Sequence, residues 1–158
     1  MKVIKINAIG ELQAVKGGFA ISVKADYREA LTGLEGFSHL HILWWADQVD
    51  DAALRKTTVI DKPYKVGPDK LGIFATRSPI RPNPIAMTVI MVTGIDYEKG
   101  IIYTPYIDAE PNTPVLDIKN YFPCSDVVES HTTPQWAQSF PESIEASASF
   151  DWSTIFNF

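Results

Sequence analysis

Apolar and polar residues alternate in short runs along most of the chain, which is the pattern of half-buried β-strands. The clearest run is FAISVKA at residues 19–25, and it follows a turn at Lys16, Gly17 and Gly18. The pattern predicts strands at residues 3–13 (with a bend at Gly10), 19–25, 37–46, 71–75, 84–94, 101–107, 115–119 and 143–152. Many short strands with frequent turns predict an all-β fold, a small single-domain β-barrel over residues 1–158 with a few short helical turns.

Three segments interrupt the alternation. Residues 27–31 predict one helical turn that ends at Gly33. Thr133 and Pro134 predict another, with Thr133 as the N-cap and Pro134 at the first position. The polar segment 47–67 predicts a long mobile loop, and long loops in compact domains are often functional.

The composition is that of an ordinary soluble globular protein, with 46% hydrophobic and 21% charged residues. No apolar run is long enough to cross a bilayer, so we expect no membrane association. The single cysteine, Cys124, excludes an internal disulfide and a cysteine-cluster zinc site, and we expect no metal. A cytoplasmic location fits this composition, and we expect Cys124 to be a small buried side chain.

The net charge of −5 weighs against a nucleic-acid partner, because phosphates attract clustered Lys and Arg. However, local patches matter more than the total charge. Seven of the fourteen basic residues fall between positions 55 and 81. This basic run is the candidate docking surface for a polyanion: Arg55, Lys56, Lys62, Lys65, Lys70, Arg77 and Arg81.

The segment GIFATRSPIRPNPIA at residues 72–86 has three prolines within six residues. Proline fixes its own φ and forces the preceding residue into extended geometry. The segment therefore predicts a stiff extended loop, in which Arg77 and Arg81 are held in fixed directions at little entropic cost on binding. The alternative is a rigid structural crossover whose arginines are merely solvated.

The same segment resembles the Phe-Ala-Thr-Arg-Ser-Pro-x-Arg-Pro-Asn-Pro-Ile-Gly motif of the TsaA-like, or TrmO, family. Two more blocks match that family, GLEGFSHL at residues 33–40 and NTPVLDIKNY at residues 112–121. The resemblance extends over residues 4–126. It implies a small β-barrel, S-adenosylmethionine binding, a homodimer, and N6-methylation of threonylcarbamoyl-adenosine beside the tRNA anticodon. No Gly-x-Gly-x-x-Gly follows a strand, so the cofactor rests on the resemblance.

The resemblance also implies the site residues. The cofactor-binding set is Phe74, Ala75, Thr76, Arg77, Ser78, Arg81, Asn83, Asp108, Thr113, Pro114, Val115 and Leu116. The candidate catalytic residues are Asp117, Lys119 and Tyr121. We expect the guanidinium groups to recognise an anion or carboxylate, and the backbone of residues 113–116 to contact the adenine edge. Asp117 is expected to orient or deprotonate the acceptor.

Spacing places Asp117 and Lys119 on one strand face, so a carboxylate and an ammonium should be neighbours. The alternative is an ordinary surface ion pair. His39 matches the family block but is expected to be a hydrogen-bonded structural histidine, whereas His41 has no support from a motif. Trp44 and Trp45 are expected in the core and on a dimer surface.

At two positions the chain differs from the family pattern in a way that predicts backbone geometry. Asn112 replaces a glycine, and asparagine tolerates the left-handed conformation. Ala86 replaces another glycine, so no positive φ is expected there.

Three functions remain open. The first is the tRNA adenosine methyltransferase. The second is a methyltransferase that acts on a small molecule or another non-tRNA acceptor, which the acidic balance and a short segment at residues 10–19 favour. The third is a non-catalytic S-adenosylmethionine-binding module.

Overall fold

The computed structural model describes residues 3–157, which form two compact units. The first unit contains the chain up to Asp51 together with Asn83–Val127. The second contains Ala52–Pro82 and the chain from Val128 onward. Each unit is described separately below, and the expectation of a single domain stays a prediction.

Strands are the main regular secondary structure of the described chain, with a few short helices and 3-10 turns, as the alternation predicted. The strands are β1 (Gly10–Val15), β2 (Gly18–Val23), β3 (His39–Trp45), β4 (Val59–Asp61), β5 (Lys70–Gly72), β6 (Ile85–Met91), β7 (Gly94–Asp96), β8 (Ile101–Thr104) and β9 (Pro114–Asn120). The two α-helices are α1 (Pro123–Asp126) and α2 (Ile144–Ala148).

Seven strands of the first unit form one antiparallel sheet in the order β6-β3-β9-β1-β2-β8-β7. Alternate residues of these strands point into one hydrophobic core, which is why the period-two pattern was visible in the sequence. The core consists of Leu12, Ile21, Val23, Leu31, Leu40, Ile42, Ile90, Ile102, Ile107 and Val115. No pairing between β6 and β7 is found among residues 3–157, so a closed barrel stays a prediction.

The first predicted strand was too long. Residues 3–9 are not in a strand, and Met1 and Lys2 lie outside the described residues. Gly10 begins β1 and does not bend it; a Cβ at this position would collide with the carbonyl oxygen of Ser22 on β2. Residues 3–7 alternate in sequence but pair with no neighbouring strand, so they do not form a β-strand.

The helical turn predicted at residues 27–31 is confirmed as a 3-10 turn, Ala25–Leu31. The turn predicted after Thr133 begins later, at Gln135, and Thr133 is not its N-cap. Cys124 lies on α1 and is exposed, so the expectation of a buried cysteine was wrong. No helix within residues 3–157 is long and apolar enough to span a membrane.

In the second unit β4 and β5 form a two-stranded antiparallel hairpin. Part of the predicted mobile loop 47–67 is therefore regular structure, because it contains β4 and the 3-10 turn Leu54–Lys56. The strand predicted at residues 143–152 was also wrong. That segment contains α2, whose first turn is capped by Ser143: its Oγ accepts a hydrogen bond from the Ala146 N–H at 3.1 Å.

Candidate functional site

The loop of residues 73–82 lies in the second unit and is anchored at its start. The Ile73 N–H donates to the Thr58 carbonyl at 2.9 Å, and the Ile73 side chain is 1% exposed. The predicted strand 71–75 ends at Gly72, and Ile73–Ala75 forms a 3-10 turn. Thr76 closes this turn from a buried position, because its Oγ1 donates to the Ile73 carbonyl at 2.9 Å.

The rest of this loop is held by its own short-range hydrogen bonds. The Ser78 N–H donates to Thr76 Oγ1 at 3.3 Å, and the Ile80 N–H donates to Ser78 Oγ at 3.2 Å. The Arg81 guanidinium donates to the Ser78 carbonyl at 3.4 Å. The backbone bends at Thr76, at Pro79 and at residues 81–83, so the segment is not the extended loop that the sequence predicted, and its stiffness stays a prediction.

Phe74, Ala75, Arg77 and Pro79 of this loop are exposed, and Phe74 and Arg77 are the two large side chains among them. Phe74 is 82% exposed, although a large apolar ring is normally buried, and Arg77 is also exposed. An exposed aromatic ring three residues from an exposed guanidinium offers a stacking surface and a carboxylate partner. These are the chemical groups that suit an amino-acid-bearing nucleoside such as S-adenosylmethionine.

The second block lies in the first unit, on β9 and the turn before it. Asn112 has φ of 71°, so the prediction that it replaces a glycine in the left-handed region is confirmed. Ala86 lies in β6 and has no positive φ, which confirms the prediction that this position does not need a glycine. Asp108 is exposed and lies beside Tyr106. The pKa of the Tyr106 phenol is raised, chiefly by partial loss of hydration and secondly by the negative charge of Asp108.

Part of this block already serves the sheet. The carbonyls of Thr113 and Val115 accept hydrogen bonds from the N–H groups of Leu12 and Ile9. Thr113 and Val115 are also buried, at 4% and 0% exposure. Pro114 and Leu116 are only partly buried, so they are the members of residues 113–116 with side-chain surface left for a ligand.

Asp117 and Lys119 lie side by side, as their spacing predicted. Lys119 Nζ is 2.8 Å from Asp117 Oδ2, and this hydrogen bond raises the pKa of Lys119. Asp117 Oδ1 also accepts from the Ile118 N–H at 3.0 Å. The carboxylate is therefore held in one position by two donors, on the face of the sheet opposite the core.

His41 is the residue of this face that the sequence did not single out. It pairs across the sheet with Lys119, and its Nε2 lies 3.2 Å from Asp126 Oδ1. Its ring stacks on Tyr121 with centroids 5.7 Å apart and planes at 23°. The available signal was a lone histidine within the otherwise apolar run LHILWW.

His39 behaves as expected, since its Nδ1 lies 2.9 Å from the hydroxyl of Ser38. Trp44 packs against the core, and its indole N–H donates to Thr88 Oγ1 at 3.1 Å. The Trp45 indole N–H donates to Asp50 Oδ2 at 2.9 Å. Both indole groups have protein partners.

The basic run lies entirely in the second unit, but several of its charges are engaged there. Lys62 pairs with Asp69 at 3.6 Å and Lys70 with Asp61 at 3.9 Å. Lys65 Nζ donates to the Ser153 carbonyl at 2.7 Å. The positive surface is therefore weaker than the seven residues indicated from their spacing.

The structure thus divides the predicted site residues between the two units. Phe74, Ala75, Thr76, Arg77, Ser78 and Arg81 lie in the second unit. Asn83, Asp108, residues 113–117, Lys119 and Tyr121 lie in the first. Within the first unit, Asp117, Lys119, Tyr121 and His41 are neighbours on one sheet face.

Comparison with known proteins identifies the group to which such a loop and strand block belong. The profile of the tRNA-methyltransferase O N-terminal domain matches residues 11–127. The chain belongs to this family.

Relatives differ in length and description. The chain is 33% identical over 134 residues to the tRNA (adenine(37)-N6)-methyltransferase of Escherichia coli, covering 84% of this chain and 56% of that protein. It is 34% identical to a probable S-adenosyl-L-methionine-binding protein of Pyrococcus horikoshii, covering 73% of this chain and 80% of the relative. The chain therefore spans only about half the length of the Escherichia coli enzyme.

Solved structures of the same family are similar to this chain. A crystal structure of TrmO matches with a TM-score of 0.64 at 27% identity, covering 84% of this chain and 64% of that one. TrmO from Pseudomonas aeruginosa matches with the same TM-score of 0.64 at 25% identity, covering 85% and 62%.

Proposed function

We propose that this protein is an S-adenosylmethionine-dependent methyltransferase that methylates the N6 nitrogen of a modified adenosine in tRNA. The observation that carries the proposal is the pair of exposed groups, Phe74 and Arg77, on a loop that buried Ile73 and Thr76 hold in place. Membership of the family supports the same cofactor. The Escherichia coli relative's description supports the tRNA acceptor.

Within this proposal the chain's residues bind and orient, because the cofactor itself supplies an activated methyl group. Arg77 and Arg81 bind its carboxylate, and Phe74 offers a ring for stacking. Aligning the donor with the acceptor can lower the barrier by roughly 7–11 kcal/mol.

Asp117 has the acid–base role in this proposal. Its carboxylate is paired with Lys119, and its role is to accept a hydrogen bond from the acceptor N–H and to take that proton as the methyl group passes from the sulfonium, which leaves as a thioether, to nitrogen. Tyr121 lies on the same sheet face and orients the acceptor. Lys119 holds the Asp117 carboxylate in one position.

The first experiment is calorimetric titration with S-adenosylmethionine, followed by transfer of a labelled methyl group to tRNA that carries the unmethylated nucleoside. We expect micromolar binding and label in tRNA. No binding at millimolar cofactor would exclude every methyltransferase reading. Binding without label in tRNA would leave the other acceptors or the non-catalytic module.

A small-molecule acceptor is the second candidate. The observation that favours it is the engagement of Lys62, Lys65 and Lys70 within the second unit, which reduces the charge available for phosphates. Label appearing in a low-molecular-weight fraction of a cell extract, and not in tRNA, would support this candidate.

We also propose a homodimer. Its support is the outer side of β6, where Ile85, Met87 and Met91 are 36%, 47% and 48% exposed. An exposed apolar stripe of this kind is a common self-association surface. Sedimentation equilibrium should show twice 17.6 kDa, and Met87→Lys with Met91→Lys should yield the monomer. A monomeric wild type at micromolar concentration would exclude the dimer.

The sheet, we propose, closes into a barrel through residues 85–96. The support is that its two edge strands, β6 and β7, are consecutive and separated only by Val92 and Thr93. The Val92 N–H donates to the Ser38 carbonyl beside β3, and the Thr93 N–H donates to the Tyr103 carbonyl on β8. One continuous segment therefore pairs with both ends of the sheet, as barrel closure requires. Protected amides along residues 85–96 in hydrogen exchange would support closure.

A tRNA acceptor also implies a cytoplasmic enzyme.

A further inference from the structure

On the sheet face opposite the core, carboxylates meet basic side chains at two neighbouring places. At the first, Lys119 Nζ lies 2.8 Å from Asp117 Oδ2. At the second, His41 Nε2 lies 3.2 Å from Asp126 Oδ1. Lys119 and His41 are paired residues of β9 and β3, so the two contacts are adjacent in the sheet. The proposed function uses the first contact and gives the second no role.

The second contact is the more enclosed of the two. The side chains of His41 and Asp126 are 13% and 19% exposed, whereas those of Lys119 and Asp117 are 61% and 48% exposed. Nδ1 of His41 is buried and has no hydrogen-bond partner among the residues that the structure describes. A buried nitrogen without a partner costs free energy, which an apolar side chain at this position would avoid. Packing alone therefore does not explain a histidine here.

The ring of Tyr121 lies against both histidines of β3. It stacks on the His41 ring with centroids 5.7 Å apart and planes at 23°, and it meets the His39 ring edge-on at 6.2 Å and 62°. The Tyr121 N–H also donates to the His39 carbonyl at 3.2 Å. The backbone of Tyr121 is thus held by β3, and the stacked contact with His41 sets the direction of its side chain.

The imidazole ring is held in turn by Asp126, whose position is set by the chain that follows Tyr121. The other carboxylate oxygen of Asp126 accepts the Phe122 N–H at 2.7 Å. The Phe122 ring meets the Phe37 ring edge-on, with centroids 5.3 Å apart, and Phe37 packs against the core. The stack of His41 on Tyr121 is therefore connected to the core of the first unit.

We infer that His41 is a positioning residue for Tyr121: its ring holds the phenol in the direction from which it orients the methyl acceptor. The inference rests on the proposed function, because that function assigns Tyr121 to the acceptor. His41 acts on the direction of the Tyr121 ring and touches neither the acceptor nor the cofactor. Loss of the His41 ring should therefore lower kcat and leave KM for S-adenosylmethionine unchanged.

The decisive variant is His41→Leu, which fills the position and removes the ring. The Hα–Hβ couplings of Tyr121, measured by NMR, should report one side-chain rotamer in the wild type and an average over rotamers in His41→Leu. His41→Phe supplies a new flat ring and should restore the single rotamer. His41→Gln also lacks the ring, should behave like His41→Leu, and serves if the leucine variant does not fold. His131→Ala, at an exposed histidine of the second unit, is the control and should leave Tyr121 unchanged.

Methyl transfer to tRNA that carries the unmethylated nucleoside should rank the variants in the same order. We expect kcat to fall about 3- to 10-fold in His41→Leu, the size of one aromatic pair contact, and to recover in His41→Phe. In a Tyr121→Ala background, His41→Leu should have no further effect on kcat, because His41 acts through the Tyr121 ring.

Two results would overturn the inference. One is an unchanged Tyr121 rotamer in His41→Leu, and the other is an equal loss of kcat on adding His41→Leu to the wild type and to Tyr121→Ala. An averaged Tyr121 rotamer in His41→Leu, with a wild type that transfers no methyl group to tRNA, would refute the proposed function and leave the positioning of the Tyr121 ring intact.

Discussion

His41 Nε2 lies 3.2 Å from Asp126 Oδ1, and this contact joins the middle of β3 to the helix that follows Tyr121. The other oxygen of the same carboxylate accepts the Phe122 N–H at 2.7 Å. Since the His41 ring also stacks on Tyr121, both the ring and the following backbone of this candidate catalytic residue are held in place.

The first prediction concerns stability in acid. The Phe122 hydrogen bond and, to a smaller extent, His41 lower the pKa of Asp126 below 3.8. A carboxyl group whose folded pKa is lowered stabilises the fold above its unfolded pKa, and that stabilisation is lost as pH falls through the folded value. Asp126→Asn should therefore make the loss of unfolding free energy below about pH 4 less steep.

Urea denaturation between pH 7 and pH 2.5 measures this slope, with Asp26→Asn, an exposed aspartate, as the control. Identical slopes for wild type and Asp126→Asn would contradict the prediction.

The second prediction concerns proton transfer. Asp117→Asn should lower kcat for methyl transfer by about 10²-fold, because a positioned base typically contributes at least that factor. KM for S-adenosylmethionine should change little. Single-turnover assays with both substrates saturating measure the effect, and Glu29→Gln, another exposed carboxylate, serves as the control. If Asp117→Asn retains full kcat, the pair with Lys119 is only a surface ion pair.

The third prediction concerns the cofactor carboxylate. Arg77→Ala should weaken S-adenosylmethionine binding by roughly 10- to 100-fold, the range for a charge-assisted hydrogen bond. Arg77→Lys should recover only part of the affinity, since an ammonium lacks the bidentate fork. Calorimetry decides between these outcomes, and Lys16→Ala, at an exposed turn, should bind like the wild type. Equal affinity in Arg77→Ala would remove Arg77 from the site.

The fourth prediction concerns tRNA docking. Arg55→Glu with Lys56→Glu should weaken tRNA binding and flatten its salt dependence, while leaving cofactor affinity nearly unchanged, because both residues lie outside the motif loop. Lys5→Glu with Lys16→Glu changes the net charge equally at exposed positions of the first unit and is the control. Filter binding of tRNA at about 50 to 200 mM salt distinguishes the two double variants. Equal losses in both double variants would mean that only total charge matters.

The fifth prediction concerns the backbone at Asn112. With φ of 71°, this position disfavours branched side chains, so Asn112→Val should lower the unfolding free energy by about 1–2 kcal/mol. Asn112→Gly should be tolerated, because glycine adopts this conformation without strain. Thermal melts of both variants test the contrast, and equal melting temperatures would contradict it.

Local chemistry explains which elements were foreseeable. Leu40 and Ile42 alternate with His39 and His41, so the inward face of β3 was visible at period two. Asp117 and Lys119 are two residues apart on a strand, which by itself places them on one face. The prolines after Arg77 specify a stiff loop wherever it is placed. The family model matches residues 11–127, and the three sequence blocks that resemble the family are each contiguous.

Tertiary structure decided the rest, because each remaining feature depends on residues far apart in the chain. Residues 3–7 alternate but pair with no neighbouring strand, whereas β1 pairs with both β2 and β9. Segment 143–152 alternates too, yet Ser143 caps a helix there. Asp126 and His41 are 85 residues apart in sequence, and they come into contact only because β3 and β9 pair in the sheet. Tyr64 is enclosed by Trp136 and Phe156 for the same reason: burial and pairing are set by contacts that no local window of sequence contains.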